Sequence, residues 1–152
     1  MSFDSITAVL DGLDLAKLVP DLTTFLGKLQ LAATLAVMIG PLLLLAMGIW
    51  YLIAPPKEAN HKVGFRTYYG MGSVAAWQFT QRAAGFAWGG LGAVLTLIMG
   101  IICITFGSKD AFSVVHTAVT CLIWQAILAV LSWAAVCILA VVTFDKNGER
   151  RK

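Results

Sequence analysis

Charged residues are scarce in this chain. Of its 152 residues, 12% are Asp, Glu, Lys or Arg and 59% are hydrophobic, so the charged share is about half that of an average soluble domain. Three long stretches contain no charged residue: Leu29–Pro56, Ala83–Ser108 and Ala111–Phe144. Because a helix of about 20 residues crosses the hydrocarbon of a bilayer, each stretch is long enough to span it. The composition therefore excludes a soluble globular protein and predicts an integral membrane protein with three spans.

The residue groups that carry most enzymatic and transport chemistry are also missing from these stretches. They contain no carboxylate pair, no His–carboxylate cluster, no HExxH helix, no GxSxG turn and no glycine-rich phosphate loop. One histidine, His116, lies inside a span, and ion-coupled transport usually needs charge within the membrane. The sequence therefore predicts no enzyme, no catalytic residues and no cofactor.

Cysteine is rare as well. Cys103, Cys121 and Cys137 all lie inside apolar stretches, and no two of them have CxxC spacing. We therefore expect neither a metal site nor a thioredoxin-like redox site. We interpret the three thiols as small buried hydrophobic side chains.

The few charges are unevenly distributed along the chain. Residues 1–30 carry a net charge of −2, residues 54–83 a net of +3, and the tail from Phe144 onward a net of +2. Basic residues favour the cytoplasmic side of a membrane. We therefore expect the central loop and the C-terminus to lie inside and the N-terminus outside. The tail is interpreted as a topology anchor, and its charge cluster is too short to predict direct nucleic-acid binding.

The patterns predict an all-α fold: an integral membrane helical bundle of three transmembrane helices plus an N-terminal amphipathic helix. Hydrophobic residues recur at helical spacing in residues 1–19, which predicts an amphipathic helix that either lies at the membrane interface or packs on the outer rim of the protein itself. Residues 20–152 are predicted to form the membrane domain. Its spans are expected at about residues 31–53, 83–106 and 114–143, with an inner loop at 54–82.

Two prolines mark expected features of the first span. Pro20 fits the first turn of a new helix, because its missing N–H is not needed there. Gly40-Pro41 lies near the middle of the span. A proline at that point removes a backbone hydrogen bond and is expected to kink the helix.

Small residues recur along the second and third spans. Gly85, Gly89 and Gly92 fall near one face of span two, and small residues allow helices in membranes to approach closely. Gln125 lies near the middle of span three, where we expect its amide to form an interhelical hydrogen bond. A stripe of small or polar residues in span three is predicted to face the glycines; it comprises Ala118, Gln125, Ala129 and Ser132.

The polar interval between the first two spans contains a pattern that hydrophobic burial does not explain. It reads Asn60-x3-Gly64-x-Arg66-Thr67, followed by Trp77-x3-Gln81-x3-Gly85. Over about residues 50–107 the chain resembles the SdpI family of small bacterial membrane proteins. In that family an Asn precedes a Gly-x-Arg-Thr segment at the cytoplasmic end of one span, and a Trp and an Asn-like residue follow on the next helix. Gln81 stands where the family more often has Asn.

The resemblance implies a function and a location. The founding type is an immunity protein against a secreted peptide toxin. The resemblance therefore implies a protein of the bacterial cytoplasmic membrane that protects against a peptide toxin and docks a small cytoplasmic repressor. The partner- or ligand-binding residues implied are Asn60, Lys62, Gly64, Arg66, Thr67, Trp77 and Gln81.

Two interpretations of the motif residues remain open, and two functions remain open for the whole chain. The motif either binds a partner or pins the loop against the bundle, with the Arg66 guanidinium over the Trp77 indole. The whole chain is alternatively a structural accessory subunit or a self-associating bundle, a homo-oligomer, whose small-residue faces pack against other spans. In every case the lipid bilayer is a partner.

Overall fold

The computed structural model describes residues 15–59 and 63–151, with side chains placed from Leu22 onward. Within these ranges the chain is helical with no β-strand, apart from an isolated bridge between Phe144 and Arg150. The helices are α1 (Leu15–Ile53), α2 (Val74–Ile104), a short 3-10 helix (Thr105–Ser108) and α3 (Ala111–Thr143).

The three-span prediction is confirmed. Three helical segments are long and apolar enough to cross a membrane: Leu22–Ile53, Val74–Ser108 and Ala111–Thr143. Each segment runs antiparallel to the one before it, so the loop after α1 and the tail after α3 lie at the same end of the bundle. We call this end the loop end. The protein is therefore an all-α, multi-pass membrane bundle.

The beginning of α1 differs from the expected one. Most of the amphipathic segment predicted for residues 1–19 lies outside the described residues, but α1 is already helical at Leu15. Pro20 therefore lies inside the helix and not in its first turn. The missing N–H removes one hydrogen bond of α1.

Side-chain caps define where α2 and α3 begin. Ser73 Oγ accepts a hydrogen bond from Ala76 N at 3.1 Å, and Asp110 Oδ2 accepts one from Ser113 N at 3.1 Å. Asp110 Oδ1 also accepts a hydrogen bond from Ser113 Oγ at 2.7 Å. These hydrogen bonds lower the pKa of Asp110, the side-chain bond most strongly. The cap therefore stabilises α3 at neutral pH and is lost as the pH falls through this lowered pKa.

Glycines bring α1 and α2 into backbone contact. A Cβ added to Gly48 of α1 would overlap the Gly89 amide nitrogen of α2, and one added to Gly92 would overlap the Leu45 nitrogen. A Cβ on Gly85 would lie 2.9 Å from the Leu52 side chain. The glycine face of α2 therefore packs on α1.

This packing corrects the partner predicted for that face. The stripe of α3 that contains Gln125 does not cover the α2 glycines, because Gln125 lies against α1. The physical reason is that α1 supplies a glycine of its own, Gly48. Glycine on both helices permits a closer approach than the larger side chains of α3 allow.

Gln125 contacts α1 where Pro41 interrupts its backbone hydrogen bonds. In an uninterrupted helix the N–H of residue 41 would donate to Val37 O, but proline has no N–H. Gln125 Nε2 donates to that same oxygen at 3.0 Å. A Cβ on Gly40 would lie 2.8 Å from Gln125 Oε1, so the glycine makes room for the amide. The proline gap of α1 and the glutamine of α3 thus form one buried contact.

Two hydrophobic clusters hold the helices together. The first joins all three helices; its buried members are Ala33, Val37, Leu95, Met99, Phe106, Val114, Ala118 and Cys121. Cys121 is buried there, whereas Cys103 and Cys137 are only half-buried. The second cluster joins one buried residue from each helix to the loop; its members are Tyr51, Phe65, Ala84 and Val136. The second cluster therefore ties the loop to the bundle.

Gly48→Ala should force α1 and α2 apart, because the new methyl group overlaps backbone that cannot rotate aside. We expect a loss of about 1–3 kcal/mol in the free energy of unfolding, the usual cost of overpacking. Denaturant unfolding of the purified protein in mild detergent measures it. Gly90→Ala is the matched control, since nothing lies within 4 Å of its added Cβ. Equal losses in the two variants would contradict the close backbone contact.

A double-mutant cycle tests the contact between Gln125 and the proline gap. Gln125→Leu should cost more stability in the natural chain than in a Pro41→Ala background, because the alanine has a backbone N–H that donates to Val37 O. The expected difference is about 1 kcal/mol, measured by the same unfolding assay. An identical cost in both backgrounds would show that the hydrogen bond from Gln125 to Val37 O does not contribute to stability.

Candidate functional site

The centre of the site is a reciprocal pair of hydrogen bonds between α2 and the loop. Gln81 Nε2 donates to Phe65 O at 2.8 Å, and Gln81 Oε1 accepts from Phe65 N at 2.8 Å. Gln81 is fully buried, and Phe65 is 3% exposed. A glutamine amide carries a donor and an acceptor side by side, as a backbone edge does. It therefore satisfies both polar groups of one loop residue, which would be costly to bury alone.

Trp77 lies one helical turn before Gln81 and connects the loop to the end of α1. Its indole Nε1 donates to Pro56 O at 2.7 Å, and the residue is fully buried. Gly64 covers the ring, and a Cβ there would lie 2.6 Å from it. Gly64 also has a φ of 118°, a conformation that favours glycine. The Gly64 position therefore requires glycine both for its backbone and for space.

A tight turn leads from the loop into α2. Thr67 Oγ1 accepts a hydrogen bond from Gly70 N at 2.9 Å, and Met71 N donates to Thr67 O at 3.1 Å. A Cβ on Gly70 would lie 2.6 Å from Thr67 Oγ1 and 2.7 Å from the buried Thr80 hydroxyl. Thr67 thus closes the turn, while Thr80 and Gly70 seat it against α2.

The C-terminal tail folds back onto this turn. Ser73 Oγ donates to Gly148 O at 2.7 Å, which joins the tail to the start of α2. Asp145 Oδ1 accepts from Asn147 N at 2.9 Å and from Glu149 N at 2.8 Å, so the tail is itself a compact turn. Phe144 is buried, with its ring centroid 5.3 Å from that of Phe79. The tail is therefore part of the site as well as a charged terminus.

The structure brings together four of the residues implied by the sequence pattern: Gly64, Thr67, Trp77 and Gln81. Asn60 and Lys62 lie outside the described residues. Arg66 is exposed and interacts electrostatically with Tyr51 at the end of α1. The contact of Arg66 with the Trp77 ring stays a prediction. Gly85 lies on the neighbouring turn of α2, at the interface with α1.

Sequence reasoning missed the residues that act through their backbone or at a distance along the chain: Phe65, Gly70, Thr80 and Gly148. Phe65 offers only backbone groups to Gln81, so its residue type carries no signal. The turn residues did carry one, since Thr67-x2-Gly70 and Asp145-x-Asn147-Gly148 are typical of side-chain-capped turns. The side-chain amide of Gln81 is paired with the Phe65 backbone, and the indole N–H of Trp77 is paired with Pro56 O, so the arrangement holds the loop in a fixed position on α2.

The family of the chain follows from a comparison with protein-family models. A family model described as the SdpI/YfhL protein family matches residues 57–142. The match exceeds half of the chain and covers the loop, α2 and nearly all of α3. The chain belongs to the SdpI/YfhL protein family. It matched no curated protein and no solved structure.

Family membership confirms the resemblance seen in the sequence and extends it. The motif predicted a likeness over about residues 50–107, whereas the SdpI/YfhL match continues into α3. The matched region thus includes Gln125, which completes α1, as well as Gln81, which holds the loop. Both glutamines of this SdpI/YfhL protein therefore lie in the matched region, whereas Val37 and Pro41 lie outside it.

Gln81→Leu should release the loop, because both backbone groups of Phe65 lose their partners. We expect a loss of about 2 kcal/mol in the free energy of unfolding and faster hydrogen exchange at the Phe65 amide. Gln78→Leu is the matched control, since Gln78 lies exposed on the same helix. Unchanged exchange at Phe65 in the Gln81 variant would contradict the pairing.

Proposed function

We propose that this SdpI/YfhL protein is a non-enzymatic immunity and signalling protein of the bacterial cytoplasmic membrane. It protects the membrane against a peptide toxin and docks a small cytoplasmic repressor at its loop end. Family membership supports the general role. The observation that carries the docking role is the Gln81–Phe65 pair, which holds a basic loop in one position on an otherwise apolar bundle.

The loop end offers a surface suited to an acidic protein partner. Arg66 is exposed, and Tyr68 is 74% exposed. The described charged residues at this end include six basic and three acidic ones, a net of +3; they are Lys57, Glu58, Arg66, Arg82, Asp145, Lys146, Glu149, Arg150 and Arg151. Arginine and tyrosine supply much of the binding energy at protein interfaces, and a net positive surface steers acidic partners.

The fixed loop lowers the cost of binding. A flexible loop loses conformational entropy when a partner orders it, which weakens the complex. Here Phe65 is bonded through its backbone, and the turn after it is closed by Thr67. The exposed Arg66 lies between these two anchored residues. Its backbone is therefore presented in a preformed position.

The charge distribution supports a cytoplasmic location for this surface. The loop end carries the basic excess, whereas residues 1–30 carry a net charge of −2, and the turn with Lys109 and Asp110 between α2 and α3 carries no net charge. Positive charge favours the cytoplasmic side. This orientation brings the loop and the tail to the compartment in which a soluble repressor resides.

The self-association hypothesis relied on the glycines of α2 being available to other spans. Gly85, Gly89 and Gly92 are instead covered by α1 of the same chain. The glycine face therefore gives that alternative no support, and we do not propose it as a second function.

Removing the exposed loop side chains should abolish docking. We expect affinity purification from native membranes in mild detergent to recover a soluble DNA-binding repressor with the natural chain and to lose it with Arg66→Ala/Tyr68→Ala. Lys109→Ala removes a positive charge from the opposite end and should retain the partner. The variants must unfold at the same temperature as the natural chain, because Arg66 also interacts within the protein.

Toxin protection is measured separately. Cells that express the natural chain should survive the peptide toxin at concentrations that kill cells with an empty vector. Absence of any protection would contradict the immunity role.

For the docking experiment, recovery of the repressor by the Arg66→Ala/Tyr68→Ala variant as well as by the natural chain would contradict the docking surface.

A further inference from the structure

We propose that α2, α3 and the tail together bind one anionic phospholipid at the loop end of the bundle. This site lies at the same end as the docking surface but does not include Arg66 or Tyr68, and its test does not depend on the proposed function. It combines an apolar groove with two arginines, and an anionic phospholipid fits both the apolar part and the basic part.

An apolar groove of about 670 Å³ runs between α2 and α3. Its recessed surface is formed by Ala83, Ala87 and Val136, which are buried or half-buried. Phe86 and Leu139 are exposed at its edges, at 71% and 44%. Short side chains between bulky edges leave a channel that suits a hydrocarbon chain.

Arg82 lines the loop end of this groove. It is the last charged residue before the uncharged run Ala83–Ser108, so it marks the level at which the apolar part of α2 begins. The side chain is exposed, and none of the residues in 15–59 and 63–151 forms a hydrogen bond or ion pair with it. An arginine at this level extends its guanidinium towards the headgroup region.

Arg150 of the tail lies at a neighbouring cavity. It lines a second cavity of about 380 Å³ that shares Phe79 with the groove. The Phe79 ring packs edge-to-face against Phe144, which lines the second cavity. Arg82 and Arg150 thus line two cavities that share Phe79, and no acidic side chain among the described residues lines either cavity.

This combination matches an anionic phospholipid. A guanidinium donates paired hydrogen bonds to phosphate oxygens, and two guanidinium groups provide more positive charge than one phosphate balances. A headgroup with an added cation, such as choline, would place like charge beside them. The apolar groove continues from this polar end into the membrane, as an acyl chain does. Basic pockets between spans on the cytoplasmic side are known to suit anionic headgroups.

The test measures lipid binding to the purified full chain by native mass spectrometry, with phosphatidylglycerol and phosphatidylcholine as probes. The natural chain should prefer phosphatidylglycerol about 25-fold, since each of the two arginines contributes roughly a fivefold effect. Arg82→Gln/Arg150→Gln should abolish the preference. The matched control is Lys57→Gln/Lys146→Gln, which removes the same amount of charge at the same end without touching the groove. This variant should keep the preference for phosphatidylglycerol.

A second pair of variants tests the acyl-chain groove. Ala135→Phe fills the groove from an exposed position and should weaken the binding of both lipids severalfold. Ala126→Phe, also exposed on α3 but outside the groove, should bind like the natural chain. Three results would each overturn the proposal: no preference in the natural chain, equal loss in both double variants, or normal binding by Ala135→Phe.

Discussion

The structure depends on the need to pair every backbone polar group without water. In a membrane, an unpaired N–H or C=O costs several kcal/mol, so non-helical or interrupted backbone persists only where protein groups complete it. Two glutamines meet this need. Gln81 completes the backbone of the loop at Phe65, and Gln125 completes α1 at the proline gap. One amide thus stabilises the candidate site, and the other stabilises the bundle that carries it.

The glycine contact between α1 and α2 makes the first of these bridges possible. The loop leaves α1 after Ile53 and enters α2 at Val74, so the distance between the two helices sets how the loop closes. Gly48 and its neighbours bring the backbones together just below this end. Because the helices are close, Trp77 reaches Pro56 and Gln81 reaches the loop interior. Packing inside the membrane is therefore coupled to the geometry of the surface outside it.

Much of the fold could be predicted from the sequence, because hydrophobic length leaves a strong signal. The three uncharged runs indicated the spans, and the spaced motif indicated the family and four of the residues that meet in the site. The partner of Gln125 could not be predicted, since a freed carbonyl has no residue type of its own. The same holds for Phe65. The glycine face of α2 was assigned to the wrong helix, because a pattern of small residues shows that a close contact exists but not with which helix.

The gap at Pro41 has a consequence for the order of assembly. During synthesis α1 leaves the ribosome before α3, so Val37 O lacks its Gln125 partner until α3 is inserted. A chain cut short after α2 would have the close glycine pairing but an incomplete first helix. The hydrogen bond from Gln125 thus makes the stability of α1 depend on the insertion of α3.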